Sequence, residues 1–254
     1  MSVKIAWERF GEGFPLVLVQ GLGYARWGWE PVADALAERY EIVLLDNRGI
    51  GESDAPPGAY TAAEMAGDVL GVLDESGVDR AHVVGTSLGG MVAQELALTA
   101  PERVEKLVLV CATPGGRYAA PMPGKTVRLI ARAPTLAREV AMRKFVENAL
   151  APDPANGIVE RILAHRLATD QPLSAWLSQA AAGMTFDAWD RLPELRIPTL
   201  VVQGTADVVV DPKNADFLVE RIPDARLELF PGCGHLLFWE EPDRFVRVLG
   251  EFLE

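Results

Sequence analysis

Two cysteines, Cys111 and Cys233, are too few in 254 residues for a disulfide framework, and on their own they cannot supply a metal quartet. They read as core or loop thiols. Histidines number three, so a histidine base must be His82, His165 or His235. Long apolar runs are missing as well: Leu16–Val19 and Leu107–Ala112 fall far short of a bilayer span. Met1–Phe10 carries Lys4, Glu8 and Arg9 where a secretory leader needs an apolar stretch, which predicts a cytoplasmic location. Basic residues are outnumbered 24 to 36, and a net charge of −12 repels phosphate backbones, excluding nucleic acid as a partner. What remains is an ordinary globular composition, 49% apolar and 24% charged, of a size for one domain with an insertion.

Strand-like and helix-like stretches alternate along the first part of the chain. Val3–Arg9 and the apolar run Pro15–Val19 read as strands, Pro31–Arg39 as a helix, and Glu41–Leu45 as a strand. Thr61-Ala62-Ala63-Glu64 has the form of a capping box, with Tyr60 and Met65 as its hydrophobic staple, and predicts a helix to Ser76 before Gly77. Ala81–Val84 is a strand, Leu88–Thr99 a helix, and Lys106–Cys111 another strand. This rhythm predicts a parallel sheet. It breaks at residues 114–190, an Ala- and Leu-rich helical insertion, and resumes with Thr199–Gln203, a helix around Ala215–Ile222, and Arg226–Phe230. The last helix places Phe245, Val248, Leu249 and Phe252 on one stripe.

Gly85-Thr86-Ser87-Leu88-Gly89 sits between a strand and a helix, where a tight turn flanked by glycines pushes a serine hydroxyl out over the sheet edge. Such a hydroxyl needs a base, and the base needs an orienting carboxylate. His82 lies at the wrong end of its strand and His165 lies in the insertion. His235, in the loop after the last strand, is the expected general base. Asp207, in the loop after Thr199–Gln203, is the expected acid, with Asp211 as runner-up.

With Ser87, Asp207 and His235 in that order, nearly the whole chain resembles the α/β-hydrolase family. Asp46-Asn47-Arg48-Gly49-Ile50-Gly51-Glu52-Ser53 is similar to that family's D-x-R-G-x-G-x-S turn. Gln20-Gly21-Leu22-Gly23 is similar to its H-G-x-G oxyanion loop, with Gln20 in place of the histidine. The resemblance implies an α/β fold with a mostly parallel sheet of seven or eight strands, helices on both faces and a helical cap. The core would be residues 1–113 and 191–254, and the cap 114–190. It also implies that Leu22 and Leu88 donate backbone N–H groups to the oxyanion, and that no cofactor or metal is required. The expected activity is hydrolysis of a small carboxylic ester or lactone through an acyl-enzyme, by a monomer or homodimer. Carbon–carbon bond hydrolysis, cofactor-free perhydrolysis and slow-turnover ligand reception are the alternatives.

In the insertion, Leu129, Met142, Phe145, Trp176, Met184 and Phe186 are candidate pocket walls. Residues 117–144 hold seven cations against Glu139 alone, which reads as a solvated helix face or as a device for steering anionic substrates. A competing dinucleotide reading of Gly21-Leu22-Gly23 with Asp46 lacks its third glycine, Arg26 standing in that place.

Overall fold

The computed structural model describes residues 3–155 and 157–254; Met1, Ser2 and Asn156, which fall within the expected core and cap bounds, lie outside these. In chain order the elements begin β1 (Trp7–Phe10), β2 (Phe14–Val19), α1 (Glu30–Ala37), β3 (Tyr40–Leu45), α2 (Ala62–Ser76), β4 (Ala81–Thr86), α3 (Leu88–Thr99) and β5 (Val104–Val110). Four inserted helices follow: α4 (Gly124–Arg132), α5 (Arg138–Ala149), α6 (Ile158–Ala168) and α7 (Leu173–Thr185). The chain closes with β6 (Thr199–Gly204), α8 (Lys213–Arg221), β7 (Ala225–Phe230), α9 (Leu237–Glu240) and α10 (Pro242–Leu253).

Among the described residues, seven strands form one sheet in the order β1-β3-β2-β4-β5-β6-β7, parallel throughout except for β1 against β3. Both faces are packed, and the strand sequences explain why. Leu16, Leu18, Val84, Val108 and Val110 join the core beneath α1 and α10, whereas Val17, Val19, Val83, Leu107 and Leu109 join the core beneath α2, α3 and α8. Such strands have no polar face and read as continuous apolar runs. Each fully buried Val or Leu contributes about 1.5–3 kcal/mol of transfer free energy.

The capping box forms as the sequence predicts. Thr61 Oγ1 accepts from the Glu64 N–H at 3.2 Å, and the Glu64 carboxylate accepts from the Thr61 N–H at 2.9 Å. Tyr60 and Met65 are buried in the same core, and Gly77 ends α2 with φ 71°. On α10, Phe245 and Leu249 are fully buried with Leu253, while Val248 and Phe252 pack at the edge. The first strand differs from expectation. It starts at Trp7 because residues 4–6 pair with the turn after β3: Lys4 N–H donates to Asp54, Ala6 N–H to Ser53 Oγ, and the Ala6 carbonyl accepts from Asp46 N–H. The remaining expected elements match within a few residues at their ends.

Register decides where the loops go. Val19 stands beside Gly85, Thr86 beside Val110, Val110 beside Val202 and Gly204 beside Phe230. Parallel strands in this register end along one line, so the segments beginning at Gln20, Ser87, Cys111, Thr205 and Pro231 emerge at a common edge. The inserted helices leave and rejoin the chain at the same edge, where Gly115 bridges Asp187.

Candidate active site

Ser87 occupies the turn between β4 and α3 at φ 54°, ψ −118°. A non-glycine residue in this region stores on the order of 1–3 kcal/mol of strain, sustained here by the close backbone contacts of the turn at Gly85 and Gly89. The Ser87 N–H donates to the Val110 carbonyl at 2.9 Å. A Cβ at Gly85 would collide with the Gly89 carbonyl, and one at Gly89 with the Val19 carbonyl, so both flanking positions admit only hydrogen.

His235 and Asp207 are buried, and His235 Nδ1 lies 2.8 Å from Asp207 Oδ2. The other Asp207 oxygen accepts from the Val209 N–H at 2.7 Å and the Val210 N–H at 3.0 Å, while Gln203 Nε2 donates to Oδ2 at 3.2 Å. Four donors therefore surround a carboxylate that would be costly to bury bare. The two loops are tied by the Ala206 N–H donating to the Cys233 carbonyl at 2.9 Å. Ser87 and His235 face one cavity of about 460 Å³, although no hydrogen bond joins Ser87 Oγ to the imidazole in this conformation among the described residues.

Leu22 and Leu88 line the same cavity. Neither backbone N–H meets a protein acceptor among the described residues. The loop carrying Leu22 presses on the serine: a Cβ added at Gly21 would lie 3.0 Å from Ser87 Cβ. Gln20, in the place of a histidine, is fully buried; its Oε1 accepts from the Gly21 N–H at 3.2 Å and its carbonyl from Asn47 Nδ2 at 2.8 Å. Gln179 of α7 supports the loop from above, accepting from the Gly23 N–H at 3.4 Å and donating to the Arg48 carbonyl at 2.8 Å.

Other candidates fall elsewhere. His82, buried between Phe14 and Tyr40, is pushed down to about 4 by desolvation, with Lys106 and Arg80 adding to it. His165 stacks on Trp27 and bonds Glu30, on the outside of α6. Asp211 lines the cavity but accepts from the Lys213 N–H as α8 begins. Asp46 accepts from the Arg26 and Glu52 N–H groups at 2.8 and 3.0 Å; it braces its own turn, which removes the basis for reading it as a ribose ligand. Of the expected apolar walls, Phe145, Trp176 and Met184 line the cavity. Leu129 borders a smaller cleft, Phe186 belongs to the sheet core, and Met142 lines neither hollow. The cations of residues 117–144 line no part of the main cavity, and Arg143 is paired with Glu160.

Three features escaped the sequence reading. Cys111, fully buried at φ 46°, stands behind the imidazole–carboxylate pair, with its sulfur and their ligand atoms within 4.8 Å of one another. Burial and Asp207 push its thiol well above the ordinary range, so it is neutral and a poor metal ligand. Arg166 of α6, 9% exposed, lines the cavity with its guanidinium 5.1 Å from the Tyr24 ring, and no carboxylate pairs with it among the described residues. Glu240 accepts from two backbone N–H groups beside His235. Sequence gives these residues no signal, because only burial and remote partners distinguish them from neighbours of the same type.

A family model described as alpha/beta hydrolase fold matches residues 15–242. The chain is 35% identical to a 2-hydroxy-6-oxononadienedioate/2-hydroxy-6-oxononatrienedioate hydrolase of Cupriavidus pinatubonensis, covering 94% of this chain and 86% of that one. It is 31% identical to a pimeloyl-acyl-carrier-protein methyl ester esterase of Aeromonas hydrophila over the full length of both. Among solved structures, the enol-lactonase from Burkholderia xenovorans superposes with a TM-score of 0.86 at 26% identity, covering 99% of this chain and 96% of that one.

Proposed function

As a hydrolase belonging to the α/β-hydrolase family, this chain, we propose, cleaves small carboxylic esters or lactones through an acyl-enzyme on Ser87, His235 and Asp207. Ser87 Oγ attacks the carbonyl while His235 Nε2 takes its proton, and Asp207 holds the Nδ1–H and stabilises the imidazolium that forms. The Leu22 and Leu88 N–H groups receive the oxyanion. The proton then passes to the leaving alkoxide, and a water activated by the same imidazole releases the acid. Residues 114–190 serve as a cap, supported by Phe145, Trp176 and Met184 on the cavity wall. The observation that carries this reading is the 2.8 Å His235–Asp207 bond on the wall of the cavity that also receives the strained Ser87.

A panel of p-nitrophenyl esters and lactones graded in size tests it. Multiple turnovers are expected, with Ser87→Ala lowering kcat by on the order of 10⁶. Covalent labelling of Ser87 by a fluorophosphonate without any ester turnover would favour a ligand receptor instead.

Arg166 favours a second reading for substrate. A buried cation without a counter-ion is unfavourable until an anion arrives. Its place in the cavity supports a carboxylate-bearing substrate, including the chains cleaved by carbon–carbon bond hydrolases. Arg166→Met is expected to raise KM for carboxylate-bearing esters about tenfold or more and to leave neutral esters within about twofold. Equal effects on both would remove this reading.

A further inference from the structure

Glu240 ends α9 half-buried, with both carboxylate oxygens engaged. One accepts from the Ala151 N–H at 2.6 Å and the other from the Gly234 N–H at 2.7 Å. Ala151 lies just beyond α5 of the insertion, and Gly234 immediately precedes His235. The same junction is closed by the Leu236 N–H donating to the Ala149 carbonyl at 3.0 Å. It is also tight: a Cβ at Gly234 would stand 2.6 Å from the Leu150 carbonyl carbon. Phe145, Asn148 and Ala149 of α5 line the cavity, so the helix that meets the substrate ends on the carboxylate that holds the histidine loop.

We propose that Glu240 is a positioning residue, clamping the histidine loop to the C-terminal end of α5 and so aiming His235 at Ser87. The inference rests on the serine-hydrolase reading given above. An anionic acceptor suits this task, because charge-assisted hydrogen bonds to backbone N–H groups are short and directional. Asp207 and Glu241 oppose its charge, so the anion there leans on the two N–H donors it holds. Burial pushes the Glu240 carboxyl up from the usual range while the two N–H donors oppose the rise. No bond of the substrate changes at Glu240; its effect passes through the imidazole alone.

The test compares Glu240→Ala, Glu240→Gln and His235→Ala on the p-nitrophenyl ester panel, with hydrogen exchange measured across residues 231–236. Glu240→Ala is expected to lower kcat about tenfold, by the same factor for every ester, with KM within about twofold. Glu240→Gln, which keeps one acceptor, recovers part of that loss. Exchange at residues 231–236 quickens while α3 keeps its protection. Wild-type kcat in Glu240→Ala, or a loss confined to KM or varying with ester size, would overturn the proposal. Should the alanine variant fail to fold, Glu240→Gln decides on the same readouts: unchanged kcat and unchanged exchange contradict the clamp. Wild-type activity in His235→Ala would instead overturn the underlying hydrolase reading, so the two failures are distinct.

Discussion

Desolvation at His82 gives the protein a titration that is separate from its chemistry. The ring is buried at the foot of β4, far from the edge where the loops converge, and is pushed down to about 4. The unfolded chain takes up this proton as pH falls through about 6.5, the folded chain only near 4, so stability is lost progressively as pH falls through that interval. We expect the melting temperature to fall between pH 7 and pH 5, and His82→Phe to flatten that fall. An unchanged slope in the variant would assign the acid sensitivity to other groups. Ser87 shows the opposite side of the residue scale. Its place in a tight turn is legible because glycines two places before and after it declare that turn locally, and the structure has the turn there. Arg166 and Glu240 are not legible, since an arginine or glutamate in a helix says nothing of its surroundings until the helices are packed.

At the scale of elements, α2 was readable to the residue because its signals are local: Thr61 and Glu64 at one end, Gly77 at the other. Thr61→Ala removes an acceptor that no other group replaces. It is expected to cost about 1 kcal/mol, lowering the melting temperature by about 2–4 °C. No residue of α2 lines the cavity, so kcat should not change. A large loss of turnover would mean that α2 supports the site in a way its contacts do not suggest. β1 was misplaced for the complementary reason. Residues 4–6 look strand-like, yet their hydrogen-bonding groups go to Ser53, Asp54 and Asp46, 40 to 50 positions away in sequence. Within the insertion, helical composition was clear, but the inward-facing side chains were not. Phe145 and Phe186 have equal apolar character, and packing sends one to the cavity and the other to the sheet core.

For the molecule as a whole, sheet register converts sequence distance into proximity. Ser87, Asp207 and His235 come from three loops, and strand ends aligned across β4, β6 and β7 deliver them to one edge. This much followed from a parallel sheet and the order of its loops. The cavity's contents did not, because they come from helices inserted between β5 and β6. The acidic net charge of −12 sets the frame in which a buried Arg166, with no carboxylate partner among the described residues, is conspicuous, and it sharpens the contrast expected between anionic and neutral substrates.

On the proposed mechanism the Ser87 hydroxyl and the His235 imidazole act as one unit. The direct measurement is kcat for Ser87→Ala, His235→Ala and the double variant on a single ester. Each single change is expected to remove turnover by on the order of 10⁶, with the double variant no slower than the worse single one. Losses that multiply in the double variant, or a single variant that turns over like the wild type, would contradict a shared mechanism.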